Sequence, residues 1–224
     1  MYHNPREKSK NMLNVKIFVF NPFMENTLVV YDDHTREAAI VDCGCLYDTE
    51  RNELKKFIAD NNLCVKYLLN THLHLDHQFG NAWAAAEYGV LPLAHRNDEK
   101  LIDNLPSQAM LFGIPDSVDA QPLGGYIAEG DEIKIGSSIL KAIFVPGHSA
   151  GSLCFYSASD GILIAGDVLF AGSIGRTDLP GGDFDLLTNG IREKLFTLPL
   201  DTKVYPGHGP TTSIDREIHS NPFF

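Results

Sequence analysis

Three histidines and an aspartate fall within six residues: His72, His74, Asp76 and His77 lie in the run THLHLDH, directly after the apolar stretch Val65–Leu69. Burying a polar group without a partner costs roughly 2–7 kcal/mol. Four such groups at the end of a buried strand therefore need a common partner, and a metal ion is the partner that suits imidazole and carboxylate together. If the strand continues through Thr71–Leu75, His72 and His74 share one side at period two, and Asp76 and His77 approach from the next turn. Nitrogen and oxygen donors suit Zn, Fe or Mn, and such a site keeps coordination positions for water and substrate. The motif points to a catalytic rather than a structural metal.

Further donors stand where other apolar runs end: His148 in VPGHSAGS, Asp167 in IAGDVLF and His208 in VYPGHGP. Loops at one end of a sheet are how a rigid scaffold collects ligands from distant parts of a chain. The count suits two ions, with His72, His74 and His148 on one, Asp76, His77 and His208 on the other, and Asp167 between them. Two ions about 3.5–4 Å apart would generate a hydroxide nucleophile at neutral pH and polarise the scissile group. Asp76 and Asp167 are then the catalytic carboxylates, and no side-chain nucleophile is required. His3, His34, His95 and His219 stand alone and read as surface or structural residues.

The rest of the chain alternates strands and helices. Strand-like runs cover Val15–Phe20, Thr27–Tyr31 and Ala38–Val41 as an antiparallel meander, followed by a helix over Asp48–Asn61 and another over Asn81–Tyr88 stopped by Gly89. The segment Leu101–Tyr126 has helical pieces without a steady period and reads as a lid. Strands return at Glu132–Ile135, Ile139–Val145, Ser152–Tyr156 and Gly161–Ala165. A helix capped by Asp183 carries Phe184, Leu187, Ile191 and Leu195 on one face, and Lys203–Tyr205 makes a last strand before a polar tail. The pattern is α/β (α+β), two sheets packed together with helices outside. Residues 1–12 read as a flexible tail and 13–224 as one domain.

Charge and composition exclude several partners. Asp and Glu number 29 against 18 Lys and Arg, a formal net charge of -11, which disfavours binding to nucleic acid or an anionic membrane surface. No apolar stretch approaches the ~20 residues of a membrane span. The four cysteines form neither a disulfide framework nor a CxxC pair, and no signal peptide is seen, so free thiols in the cytoplasm are expected.

In order and spacing, H-x-H-x-D-H at 72–77, G-H at 147–148, G-D at 166–167 and G-H at 207–208 resemble the metallo-β-lactamase superfamily from Val15 to Pro210. The resemblance implies a four-layer αββα sandwich with two divalent ions, Zn and/or Fe with Mn possible, at one edge. Within the superfamily, GDVLFAGSIGRTDLPGGD at 166–183 looks like the small bacterial glyoxalase II-like hydrolases, which implies thioester hydrolysis of a hydroxyacylglutathione kind on a small-molecule substrate. Glyoxalase II itself adds a basic C-terminal domain for the glutathione moiety, whereas only 16 residues follow His208 here. β-Lactamases of the commonest zinc class carry Cys in place of Asp167 and Arg in place of His77. The first alternative is a mononuclear iron persulfide dioxygenase, similar in ligand letters and in its GRTD loop; the second is a metal-binding scaffold without turnover.

Three positions beyond the donors bear on the site. Asp42, at a strand end before Gly44, suits a carboxylate that orients an imidazole through its second nitrogen, or an ordinary turn cap. Arg176 is either a contact for a substrate carboxylate or half of an internal ion pair with Asp178. Cys43 and Cys45 read as packing residues.

Overall fold

In the computed structural model the described residues are 12–114 and 118–224. The expected tail at 1–12 therefore lies, apart from Met12, outside them. The meander forms as read: β1 (Leu13–Phe20), β2 (Glu25–Asp32) and β3 (Glu37–Val41) pair antiparallel in sequence order. Helix α1 (Asp48–Asp60) crosses to β4 (Cys64–Leu69), parallel to β3, and α2 (Asn81–Tyr88) leads to the short β5 (Pro92–Ala94). Gly89 ends α2 with φ +69°, a left-handed cap that glycine adopts at little cost. Helix α3 (Lys100–Leu111) and β6 (Gly125–Tyr126) complete the first half.

The second half holds β7 (Glu132–Ile135), β8 (Ser138–Phe144), β9 (Leu153–Ser157), β10 (Ile162–Gly166), and the two-residue strands β11 (Leu169–Phe170) and β12 (Ser173–Ile174). Helix α4 (Phe184–Gly190) runs into a π-helical turn, Ile191–Leu195, and its cap is the expected one: Asp183 accepts from the Leu186 amide at 2.9 Å. Strand β13 (Lys203–Pro206), β14 (Thr212–Ser213) and α5 (Ile214–Ser220) close the chain.

Two six-stranded sheets result, ordered β1-β2-β3-β4-β5-β6 and β14-β13-β10-β9-β8-β7. Period two sorts their apolar residues. Leu28, Val30, Ala39, Val41 and Leu69 meet Ile133, Leu140, Leu153, Phe155, Ile162 and Ile164 between the sheets. On the outer face of the first sheet Val29, Ala38, Ile40 and Leu68 pack with Leu54 and Ile58 of α1 and Ala84 of α2. On the outer face of the second, Cys154, Leu163 and Val204 pack with Leu187, Ile191 and Ile214 of the helical segments. Central strands buried on both faces read as continuous apolar runs, and the layers are αββα as the resemblance implied.

Strand direction brings the candidate donors together. β3 is parallel to β4, and β10 to β13; β8 and β10 both run antiparallel to β9 and therefore parallel to each other. Five strands thus end at one edge, where the loops bearing Asp42, His72, His148, Asp167 and His208 begin. Two expectations are corrected here. The strand does not continue through Thr71–Leu75: β4 ends at Leu69, a bend at Thr71 and irregular backbone follow, and Leu75–His77 is a 3₁₀ turn. The segment after β13 is not a polar tail, because Ile214 and Glu217 of α5 are buried.

Candidate metal centre

All seven candidate donors converge at this edge. His72 Nε2 and His74 Nδ1 lie 3.2 and 2.8 Å from His148 Nε2. Across the cleft, His208 Nε2 lies 3.3 Å from His77 Nε2 and 3.2 Å from Asp76 Oδ2. Within each trio the donor atoms lie within 4.8 Å of one another. A third combination, Asp42 with His72 and His77, meets the same limit. Asp167 stands between the trios: Oδ2 is 3.5 Å from His148 Nε2 and 3.6 Å from His208 Nε2, and Oδ1 is 3.5 Å from His77 Nε2.

The far side of each ring fixes which nitrogen faces the cleft. His148 Nδ1 donates to the Arg176 carbonyl at 2.8 Å and His208 Nδ1 to the Phe23 carbonyl at 3.1 Å. A carbonyl only accepts, so the proton sits on Nδ1 and the Nε2 lone pair is free. His72 Nδ1 lies 3.1 Å from Thr71 Oγ1. Behind His77, Asp42 Oδ2 is 3.1 Å from Nδ1, off the line of an aligned hydrogen bond. Asp42 also accepts from the Thr71 amide and hydroxyl at 2.7 and 2.6 Å. Its φ of +53° is the left-handed conformation that Asp tolerates better than most residues.

Electrostatics separates the two trios. Burial, aided by the neighbouring imidazoles, holds His72 well below the ordinary histidine range, and His74 is brought down to about 4 by burial and then by His148. His148 is lowered by burial as well. His77 goes the other way: burial opposes its charge, but Asp167, Asp76 and Asp42 outweigh it and raise it well above the ordinary value. His208 is raised against burial by Asp76 and Asp167. Burial alone would lift Asp76 and Asp167, yet His77 above all keeps both low and ionised.

The cluster suits cations. Asp42, Asp76 and Glu25 are buried within it and Asp167 is partly buried, and among the described residues no Lys or Arg pairs with any of them. Asp167 Oδ1 and Glu25 Oε1 have no hydrogen-bond partner. Both oxygens lie beside His77, and such a concentration of carboxylate and imidazole donors suits a divalent cation.

Beside the donors lies a cleft of about 450 Å³ lined by Phe170, Ala171, Ser173, Arg176 and Pro210 together with His148, Asp167 and His208. Arg176 is its one cation, and both its Nε and Nη2 donate to the Asp178 carboxylate at 2.7 Å, an exposed pair. The Leu101–Tyr126 segment, partly outside the described residues, contributes differently from the expected lid. α3 packs Leu105 and Ala109 against Leu75 and Phe79 beside the 3₁₀ turn, while Phe112 meets Phe23 edge-on at 5.5 Å.

Three buried polar residues at the site have no role assigned from the sequence. Glu25 is fully buried, its carboxyl pushed well up by burial, with Oε1 3.9 Å from His77 Nδ1. Asn26 and Asp98 hold the loops that carry the histidines. Each looks like a polar residue in a strand or turn, and only contacts remote in sequence give it meaning. His95 stacks on Phe144, and His34 and His219 are exposed. His3 lies outside the described residues, and Cys43 and Cys45 sit in the apolar cluster under α1 and α2 with their Sγ atoms 3.4 Å apart.

A model of the metallo-beta-lactamase superfamily matches residues 20–208. The chain belongs to that superfamily. It is 35% identical over 212 residues to the hydroxyacylglutathione hydrolase GloC of Haemophilus influenzae, covering 94% of this chain and 98% of that one. Among solved structures it resembles the BLEG-1 B3 metallo-beta-lactamase, with TM-score 0.84 and 32% identity over 94% of this chain and 99% of the other. It also resembles TTHA1623, solved in a di-iron-bound form, with TM-score 0.83, 30% identity and coverage of 94% and 100%. Superfamily membership makes the chain a metallo-hydrolase by family, and its His and Asp cluster is consistent with a dinuclear metal site. No helix among the described residues is long and apolar enough to cross a membrane.

Proposed function

We propose that this protein is a dinuclear metal-dependent thioester hydrolase, similar in activity to hydroxyacylglutathione hydrolases. The observation that carries the reading is the Asp167 carboxylate, whose two oxygens face both histidine trios at 3.5–3.6 Å. His72, His74 and His148 would hold one ion, Asp76, His77 and His208 the other, and Asp167 both. When bound, two divalent ions supply a strong nucleophile from water at neutral pH and polarise the carbonyl under attack. The chain's own residues do the rest. Asp76 and Asp167 are the acidic groups in contact with the reacting region. The carbonyls of Arg176 and Phe23 keep His148 and His208 in the tautomer that presents Nε2. Asp42 sets the plane of His77 from behind.

Substrate choice follows from the cleft. Phe170, Ala171 and Pro210 form an apolar wall, and Arg176 is already engaged by Asp178. A carrier with two carboxylates finds little positive charge here, so small apolar acyl thioesters should be turned over with lower KM than S-lactoylglutathione. The 35% identity to GloC supports the reaction class, and the four free cysteines support a reducing, cytoplasmic setting.

The test is a panel run on protein loaded in turn with Zn²⁺, Fe²⁺ and Mn²⁺. It comprises small acyl thioesters, S-lactoylglutathione, a glutathione persulfide with an oxygen electrode, and a β-lactam. Thioester cleavage at the highest kcat/KM is expected. Oxygen consumption confined to persulfide would assign a dioxygenase, β-lactam opening above thioester cleavage would assign an antibiotic hydrolase, and two tightly bound ions with no turnover would leave a metal-binding scaffold.

A further inference from the structure

Two buried polar residues outside the donor set hold its two halves independently. Asp98 lies at the end of the 3₁₀ turn Arg96–Asp98 and is 2% exposed. Its Oδ2 accepts from the Leu73 amide at 3.2 Å, between His72 and His74, and from Ser149 Oγ at 2.7 Å, next to His148. The Gly151 amide donates to the same carboxylate. A Cβ at Gly151 would lie 2.7 Å from Asp98 Oδ1, so only glycine lets that loop come so close. Next to Asp98, Asn97 Nδ2 donates to the Ala150 carbonyl at 3.1 Å.

Asn26 on β2 does the same for the other half and is also 2% exposed. Its amide donates to the Gly207 carbonyl at 2.7 Å, and its Nδ2 donates to the carbonyls of Pro206 and Gly209, each at 2.9 Å. Three bonds thus enclose His208 from both sides. Among the described residues no hydrogen bond joins the two sets of contacts: Asp98 holds the His148 loop and, at Leu73, the stretch between His72 and His74 upstream of Asp76 and His77, whereas Asn26 holds the turn of His208.

We infer that Asp98 is a positioning residue for the His72–His74–His148 trio and Asn26 a positioning residue for the turn that carries His208, so that each metal position is set by its own buried polar clamp. The inference rests on the dinuclear reading above. Neither residue touches a reacting atom. Each acts by removing the freedom of loops that would otherwise have to be ordered on metal binding, which is how groups outside the ligand set tune metal affinity.

The test uses two isosteric reversals of hydrogen-bonding sense. Asp98→Asn turns an NH₂ toward donors that need an acceptor. Asn26→Asp aims carboxylate oxygens at two carbonyls. Zinc per chain is measured after dialysis against a graded weak chelator, and long-range ¹H–¹⁵N spectra of the histidine rings report which imidazoles remain bound; unfolding of the metal-free proteins checks the fold. In Asp98→Asn the affinity for one equivalent should fall 10–100-fold, with the His72, His74 and His148 rings released and His77 and His208 retained. Asn26→Asp should give the converse. Gly151→Ala, which displaces the Asp98 carboxylate, should repeat the Asp98→Asn pattern and takes its place if Asp98→Asn folds poorly. Equal loss of both equivalents, or loss of neither, overturns the inference while a wild type holding two ions leaves the dinuclear reading intact; a wild type that holds fewer than two overturns that reading itself.

Discussion

Asp42→Asn isolates the orientation of one ligand from the fold around it. The backbone is left-handed at this position, φ +53°, and Asn is among the few residues that accept it, so the turn should persist. The substituted side chain keeps one oxygen for the Thr71 amide, now 2.7 Å from Oδ1, and places an NH₂ where Oδ2 stood, 2.6 Å from Thr71 Oγ1 and 3.1 Å from His77 Nδ1. The threonine hydroxyl can accept instead of donating. His77 Nδ1 cannot adapt without shifting its proton, and since the ring is fully buried no water can take the place of the carboxylate. The His77 ring loses the carboxylate charge beside Nδ1 and with it part of its basicity. Partners of this kind change metal affinity 10–100-fold, or about 1.4–2.7 kcal/mol. Titration of the metal-free protein with Zn²⁺ against a chromophoric chelator should show that weakening in one equivalent only, with urea unfolding of the metal-free protein little changed. Affinity within threefold of wild type for both equivalents would mean that Asp42 is a turn cap and that His77 is oriented by other contacts.

Further outcomes follow from the same geometry. Gly207→Ala should lower turnover by ~10²-fold, the scale of a 1 Å misplacement of reacting groups, because its Cβ would stand 2.2 Å from Asp167 Oδ1 and 2.7 Å from His77 Cε1; steady-state kinetics and metal content decide it, and normal values for both would refute the crowding. Arg176→Ala should change KM for S-lactoylglutathione less than threefold and leave Tm nearly unchanged, since its ion pair with Asp178 is exposed and screened by solvent and the carbonyl that anchors His148 stays in place; a tenfold rise in KM would make Arg176 a binding residue. Metal-free protein should be most stable near pH 6.5. His72, His74 and His148 are lowered, so the stability they confer is full above the unfolded value and falls as pH drops from about 6.5, through about 4 for His74. His77 and His208 are raised, so theirs is full below about 6.5 and is lost above it. Urea midpoints from pH 4 to 9 in a chelator test this, and a monotonic profile would contradict it.

The convergence of the candidate donors was legible because they stand at the ends of apolar runs, each followed by a turn that carries a His or Asp. The layers were legible for the same reason: β2, β3 and β10 are buried on both faces. What stayed hidden depends on partners remote in sequence. Strands β5, β6, β11 and β12 are two or three residues long and carry no period. Thr71–Leu75 keeps an alternating pattern but leaves the sheet. The Thr71 and Leu73 amides donate to Asp42 and Asp98, and the 3₁₀ turn at Leu75–His77 is held by Asn21 and Asn70 donating to the Asp76 and His77 carbonyls. α5 looked polar because Glu217 is charged, yet Glu217 is fully buried, accepting from the Gly172 amide and from Thr212. Glu25, Asn26 and Asp98 show the general difficulty: a buried polar residue is told from a surface one only by the groups that meet it.

The central claim is that Asp167 joins two metal positions in one hydrolytic site, and metal content measured together with thioester turnover in wild type and Asp167→Ala tests it most directly. Two equivalents of metal and full turnover in wild type, against at most one equivalent and turnover near background in the variant, are the predicted result. A variant that retains both ions and hydrolyses thioester at near wild-type rate would contradict the account.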